Sequence, residues 1–102
     1  MKKLTLLLAT LLFFVSSVFA QADRYKSEQR EQERAIKGAY KHHKVTEREY
    51  LKLMNEQDAI RYAIEKYDAE GVWTMHQREV VSGKLERARE RLRRYKTNWE
   101  RY

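Results

Sequence analysis

The 102-residue chain has no cysteine, no proline and only three glycines. Without cysteine there are no disulfides, no thiol catalysis, no thiolate metal sites, no thiol redox function and no lipoprotein anchor. Without proline, nothing breaks a long helix. The sparse glycine provides no phosphate-cradling loop. Beyond residue 20 the only serines are Ser27 and Ser82, both inside long helical patterns. No nucleophile–base–acid set is evident, and the chain is expected not to be an enzyme. Its charged fraction of 36% and mean hydropathy of -0.90 exclude a multi-span membrane protein, while the 42% apolar fraction argues against a purely disordered one. The length allows one domain and leaves little room for a large enclosed active site.

The longest hydrophobic run comes first. Lys2 and Lys3 precede the nearly unbroken apolar stretch Leu4 to Phe19, which closes on Val18-Phe19-Ala20. This three-part pattern predicts a secretory signal peptide over residues 1–20, cleaved after Ala20, and a periplasmic or secreted protein. The alternative is an uncleaved anchor, but the run is shorter than the roughly 20 residues of a spanning helix. The mature chain, residues 21–102, then forms a single helical domain with no transmembrane span. Small exported domains usually need staples. This one must rely on helix packing or on oligomerisation, and a homodimer is one solution.

A 28-residue internal repeat organises the mature chain. Ala35-Ile36 falls on Ala63-Ile64, Gln29 on Gln57, Val45 on Trp73, Thr46 on Thr74 and Tyr67 on Tyr95. Twenty-eight residues are four heptads, so helical phase is kept from copy to copy. Thr46-Glu47-Arg48-Glu49 reads as a capping box, and Thr74-Met75-His76-Gln77 repeats it with Gln77 in place of Glu49. Gly71 suits a left-handed helix end, and His43, its counterpart, would be strained there by about 1 kcal/mol. Val81, Leu85, Ala88, Leu92, Tyr95, Trp99 and Tyr102 form a heptad seam, as do Tyr50, Leu53, Gln57, Ile60, Ile64 and Tyr67. The first segment is poorest in apolar residues, and its N-terminal half is expected to fray. The spacing predicts an all-α fold of three antiparallel helices, about 23–41, 46–70 and 74–100, as an elongated bundle or as hairpins completed by a dimer. Gly83, inside the third helix, marks a bend or a close helix contact.

Residues 21–83 carry twelve Lys/Arg and twelve Asp/Glu, whereas residues 84–102 carry eight and three. The excess positive charge therefore lies on the last helix. Lys84, Arg87, Arg91, Arg94 and Arg101 share one stripe, and Arg89, Arg93 and Lys96 the other flank. This face is either a solvated one, with Lys and Arg stems covering the seam, or a surface for an anionic partner. The candidate partner-binding residues are Arg87, Arg91, Arg94, Tyr95, Trp99, Tyr50 and Tyr62. His42, His43 and His76 invite a metal, but a helix of about 25 residues, roughly 37 Å, separates the two loops. No metal site or cofactor is expected beyond a weak contact at His42/His43. A calcium loop centred on Gly71 would place Lys66 and Gln77 where carboxylates are needed.

The boxes Val45-Thr46-Glu47-Arg48-Glu49 and Trp73-Thr74-Met75-His76-Gln77 resemble the L-T-x-x-Q boxes of the Spy/CpxP family of periplasmic chaperones and stress sensors. Val45 and Trp73 stand where that family usually has Leu, and Glu49 replaces the Gln. The resemblance implies a small all-helical exported holdase that cradles unfolded clients as a dimer. The 28-residue unit is also similar to small secreted bacterial helical-hairpin proteins of no assigned activity. Three functions remain open: a holdase for unfolded or acidic protein clients, a self-assembling structural protein, and a binder of anionic envelope surfaces. Export and the lack of a recognition motif disfavour nucleic acid. An apolar patch left exposed by the bundle favours the holdase, and a buried seam favours self-assembly.

Overall fold

Both capping boxes form and set the helix starts. The computed structural model describes residues 22–97, and the expected signal peptide, Trp99, Arg101 and Tyr102 lie outside them. Helix α1 spans Lys2–Lys41, described from Ala22 onward; α2 spans Glu47–Glu70 and α3 Met75–Thr97. Thr46 is extended (φ -76°, ψ 166°), its hydroxyl accepts from the Glu49 N–H at 3.1 Å, and Glu49 Oε1 accepts from the Thr46 N–H at 2.9 Å. Thr74 and Gln77 repeat the exchange at 3.1 and 3.0 Å. The residues before the two caps, Val45 and Trp73, are both buried.

The helix ends match as well. Gly71 closes α2 in the left-handed region at φ 82°, its N–H bonded to the Asp68 carbonyl. His43 takes the same conformation at φ 59°. Around it the Lys44 N–H bonds the Ala39 carbonyl and the His43 N–H bonds the Tyr40 carbonyl, which is a Schellman closure with histidine in the glycine slot. Replacing His43 with Gly should therefore raise stability by about 0.5–1 kcal/mol, the relief of a left-handed Cβ less the added chain entropy of glycine. Urea denaturation measures this, and an unchanged or lower midpoint would place the turn in another conformation.

All three helices pack on one another, and no strand occurs among the described residues. Consecutive helices are antiparallel and α1 runs parallel to α3. Two apolar clusters fill the interior. One gathers Ala22, Tyr25, Ile60, Ile64, Trp73, Val81 and Leu85, the other Ile36, Ala39, Val45 and Leu53, flanked by Tyr50, Met54, Leu92 and Tyr95. Trp73 plugs the first, its ring 5.2 Å from Tyr25 and 5.7 Å edge-on to Tyr67.

Between the clusters lies a buried layer of amides. Gln29 Nε2 donates to Gln57 Oε1 at 3.0 Å, Gln57 Nε2 to Gln32 Oε1 at 2.9 Å, and Gln32 Nε2 to the Leu85 carbonyl at 2.8 Å. Gln29, Gln57 and Leu85 are successive 28-residue equivalents, so the repeat stacks its own copies into one cross-section. This corrects the expectation that the N-terminal half of the 23–41 segment frays. Ala22, Tyr25, Gln29 and Gln32 are all buried, because the glutamines satisfy one another. The close helix contact expected at Gly83 is also corrected: the atoms nearest to where its Cβ would stand belong to Arg87, at 3.2 Å and beyond, and not to another helix.

Candidate functional site: an electropositive end

The fold redistributes charge in a way that linear counting hides. Because α2 doubles back on α1 and α3 returns beside both, residues 30–56 and 86–97 share one half of the bundle. That half holds thirteen Lys/Arg and seven Asp/Glu; the other half, residues 22–28 and 58–84, holds six and seven. The α1–α2 hairpin looked neutral in the sequence, yet its tip, Lys41-His42-His43-Lys44, stands at the same end as the basic last turns of α3. Ala39, Val45, Leu53 and Tyr95 fasten the three elements together there.

Several of these cations are free. Lys41, Lys44, Arg48, Lys52, Arg94 and Lys96 are exposed and form no ion pair with the described residues. Others are engaged. Arg89 pairs with Glu28 across the α1–α3 groove, Arg91 lies 3.6 Å from Glu56, and Arg93 bonds Glu90 at 2.8 Å. The Arg93 hydrogen bond holds the Glu90 carboxyl below its ordinary range and pushes Arg93 up. At the opposite end Lys26 bonds Asp68 at 2.9 Å, which raises the ammonium's pKa and lowers the carboxyl's.

The candidate residues expected to bind a partner do not form one surface. Arg87 and Arg94 are exposed, whereas Arg91 is half-buried beside Glu56. Tyr95 is half-buried and lines a cleft of about 460 Å³ with Thr46, Arg48, Glu49 and Lys52. Tyr50 is half-buried and stacks on Tyr40 at 4.4 Å between ring centroids. Tyr62 is 68% exposed and lies twelve residues further along α2, about 18 Å away at helical rise. Trp99 lies outside the described residues. Sequence reasoning missed Lys41, Lys44, Arg48 and Lys52, and the only signal for them was the short connection that makes α1 and α2 antiparallel.

Two further features bound the chemistry. A groove of about 540 Å³ runs between α1 and α3, with Ile36, Ala88 and Leu92 in its lining and charges of both signs. Among the described residues no three His, Asp or Glu side chains converge as metal ligands, and no helix is long and apolar enough to cross a membrane. The chain matches no protein-family model, no curated protein and no solved structure.

Proposed function

We propose that the chain is an exported, non-enzymatic helical binding protein that engages an anionic partner through its electropositive end. The observation that carries this is the segregation of charge. Cations from two connected helices, their turn and the end of a third gather in one half of the bundle, nine of the thirteen in no ion pair with the described residues. Such a field raises the local concentration and the encounter rate of an anionic partner. The apolar seam supplies no competing surface, because Leu53, Ile60, Ile64, Val81 and Leu85 are spent inside the bundle.

A holdase is the second reading, supported by the box resemblance and by exposed Leu51, Tyr62, Val72 and Met75. These residues fall in two separate places, on the outer face of α2 and at the α2–α3 connection, so the apolar surface is dispersed.

Anisotropy of a labelled polyglutamate probe tests the main reading. Replacing Arg48, Lys52 and Arg94, all exposed and in no ion pair with the described residues, with Gln should leave helicity nearly intact while weakening binding, and the loss should be larger at low salt. Binding equal to wild type at low salt would reduce the charged face to a solvated one.

A further inference from the structure

The electropositive end lies at one end of the bundle, and the groups around its cations select among anionic partners. Lys41 and Lys44 flank the α1–α2 turn, Arg48 and Lys52 stand on the first two turns of α2, and Arg94 and Lys96 on the last turns of α3. The cations thus project from three elements around one end. The cleft that Arg48 and Lys52 line there has a carboxylate, Glu49, in its wall. Glu49 is 5% exposed and already carries an oxygen with no hydrogen-bond partner. An acidic side chain inserted there would meet like charge at close range, in a site where that repulsion is poorly screened.

Amphipathic groups accompany the cations. Leu51 is 55% exposed between Arg48 and Lys52, with Met54 half-buried one turn on. Tyr40 is 37% exposed and stacked on Tyr50. Long basic stems beside an exposed leucine and tyrosine rings are the composition that suits a headgroup layer, where cations meet phosphates while apolar bodies settle at the acyl boundary. A headgroup layer also need not enter the Glu49 cleft.

The geometry points to end-on docking of this bundle onto the surface of an anionic phospholipid bilayer, through the α1–α2 turn and the last turns of α3. The inference rests on the proposed function and narrows its partner to lipid. It also fixes orientation: the near-neutral end, with Trp73 and the Lys26–Asp68 pair, faces away from the bilayer. Tyr62 then takes no part in docking.

Vesicle co-sedimentation tests it, using the chain as purified and large vesicles of phosphatidylcholine with or without phosphatidylglycerol. Pure phosphatidylcholine gives the charge-independent background. The tip variant is Lys41→Gln, Lys44→Gln, Arg48→Gln and Lys52→Gln together. The control, Arg24→Gln, Lys66→Gln, Arg78→Gln and Lys84→Gln, loses as much charge from the other half. A basic residue near an anionic surface contributes about fivefold in partition, so the tip variant should lose at least about 20-fold at low salt. The control should lose less than about threefold. Helical circular dichroism of both variants confirms folding; should the four-site variant fail to fold, Lys41→Gln with Lys44→Gln replaces it, with an expected loss of at least about fivefold.

Equal losses in tip and control variants would overturn end-on docking. Wild-type protein that binds polyglutamate but sediments no better with anionic than with neutral vesicles would overturn the lipid partner and leave the proposed function standing. Binding to neither would remove both.

Discussion

Trp73→Ala should come close to unfolding the protein. The indole is 5% exposed and is the largest side chain in its cluster. Truncating a buried Trp to Ala costs about 3–5 kcal/mol, from lost transfer energy and the cavity left behind. A helical domain of this size has a total stability of only about 4–12 kcal/mol, at about 0.05–0.15 kcal/mol per residue. The melting temperature should fall by at least about 12 °C, at 4 °C or more per kcal/mol for a domain this small. Position multiplies the effect. Trp73 comes from the α2–α3 connection and holds Tyr25 of α1 against Tyr67 of α2, so it links all three helices. Its repeat counterpart Val45 fills the same place before a cap at the other end with far less surface. Trp73→Phe is the control. It keeps most of the ring contacts and gives up only a weak approach of the indole N–H to the Asp68 carboxylate, so it should cost clearly less than Trp73→Ala. A Trp73→Ala melt within about 3 °C of wild type would mean that the connection does not pack into the bundle.

What could be read in the sequence is local or periodic. Thr46 and Thr74 declare helix starts because a cap is complete within four residues. Gly71 and His43 declare helix ends for the same reason, and the left-handed His43 follows from its alignment with a glycine. Short connections then make neighbouring helices antiparallel. What could not be read depends on partners far apart in the chain. Gln29 and Gln32 look like polar interruptions of a weak seam, yet they become core once Gln57, 28 and 25 residues away, completes their hydrogen bonds. The basic end was hidden in a similar way. Linear counting finds a neutral first two-thirds and a basic last helix, because Lys41, Lys44, Arg48 and Lys52 are averaged with acids that the fold sends to the other end. Among the expected partner-binding residues, Arg91 appeared free only because Glu56, its neighbour in space, is 35 residues earlier in the chain.

The amide layer sets the other large effect, one whose sign reverses as more of the layer is removed. Gln57 is fully buried and serves both neighbours, accepting from Gln29 and donating to Gln32. Gln57→Leu should cost about 2–5 kcal/mol, since each stranded buried polar group costs about 1–3 kcal/mol. Gln29 retains Glu33 at 3.3 Å, which holds its share toward the low end, whereas the Gln32 oxygen keeps no partner. Replacing Gln29, Gln32 and Gln57 together with Leu removes every stranded side-chain group. That triple variant should recover wild-type stability or exceed it, as buried polar networks often do when exchanged for apolar residues of similar volume. Its cost lies in specificity. The two apolar clusters would merge into one continuous heptad seam, and nothing would then distinguish the native register from a slip of one heptad or from a bundle that admits a second chain. Urea melts read the stability and light scattering the mass. The single variant should melt early as wild-type-sized particles, and the triple should melt late as a mixture of sizes. If Gln57→Leu is as stable as wild type, the hydrogen bonds across the layer contribute nothing to holding the helices. If the triple variant stays monodisperse at the wild-type mass, the register is fixed elsewhere, and the unequal connections, with Trp73 in one and Val45 in the other, are the remaining asymmetry able to fix it.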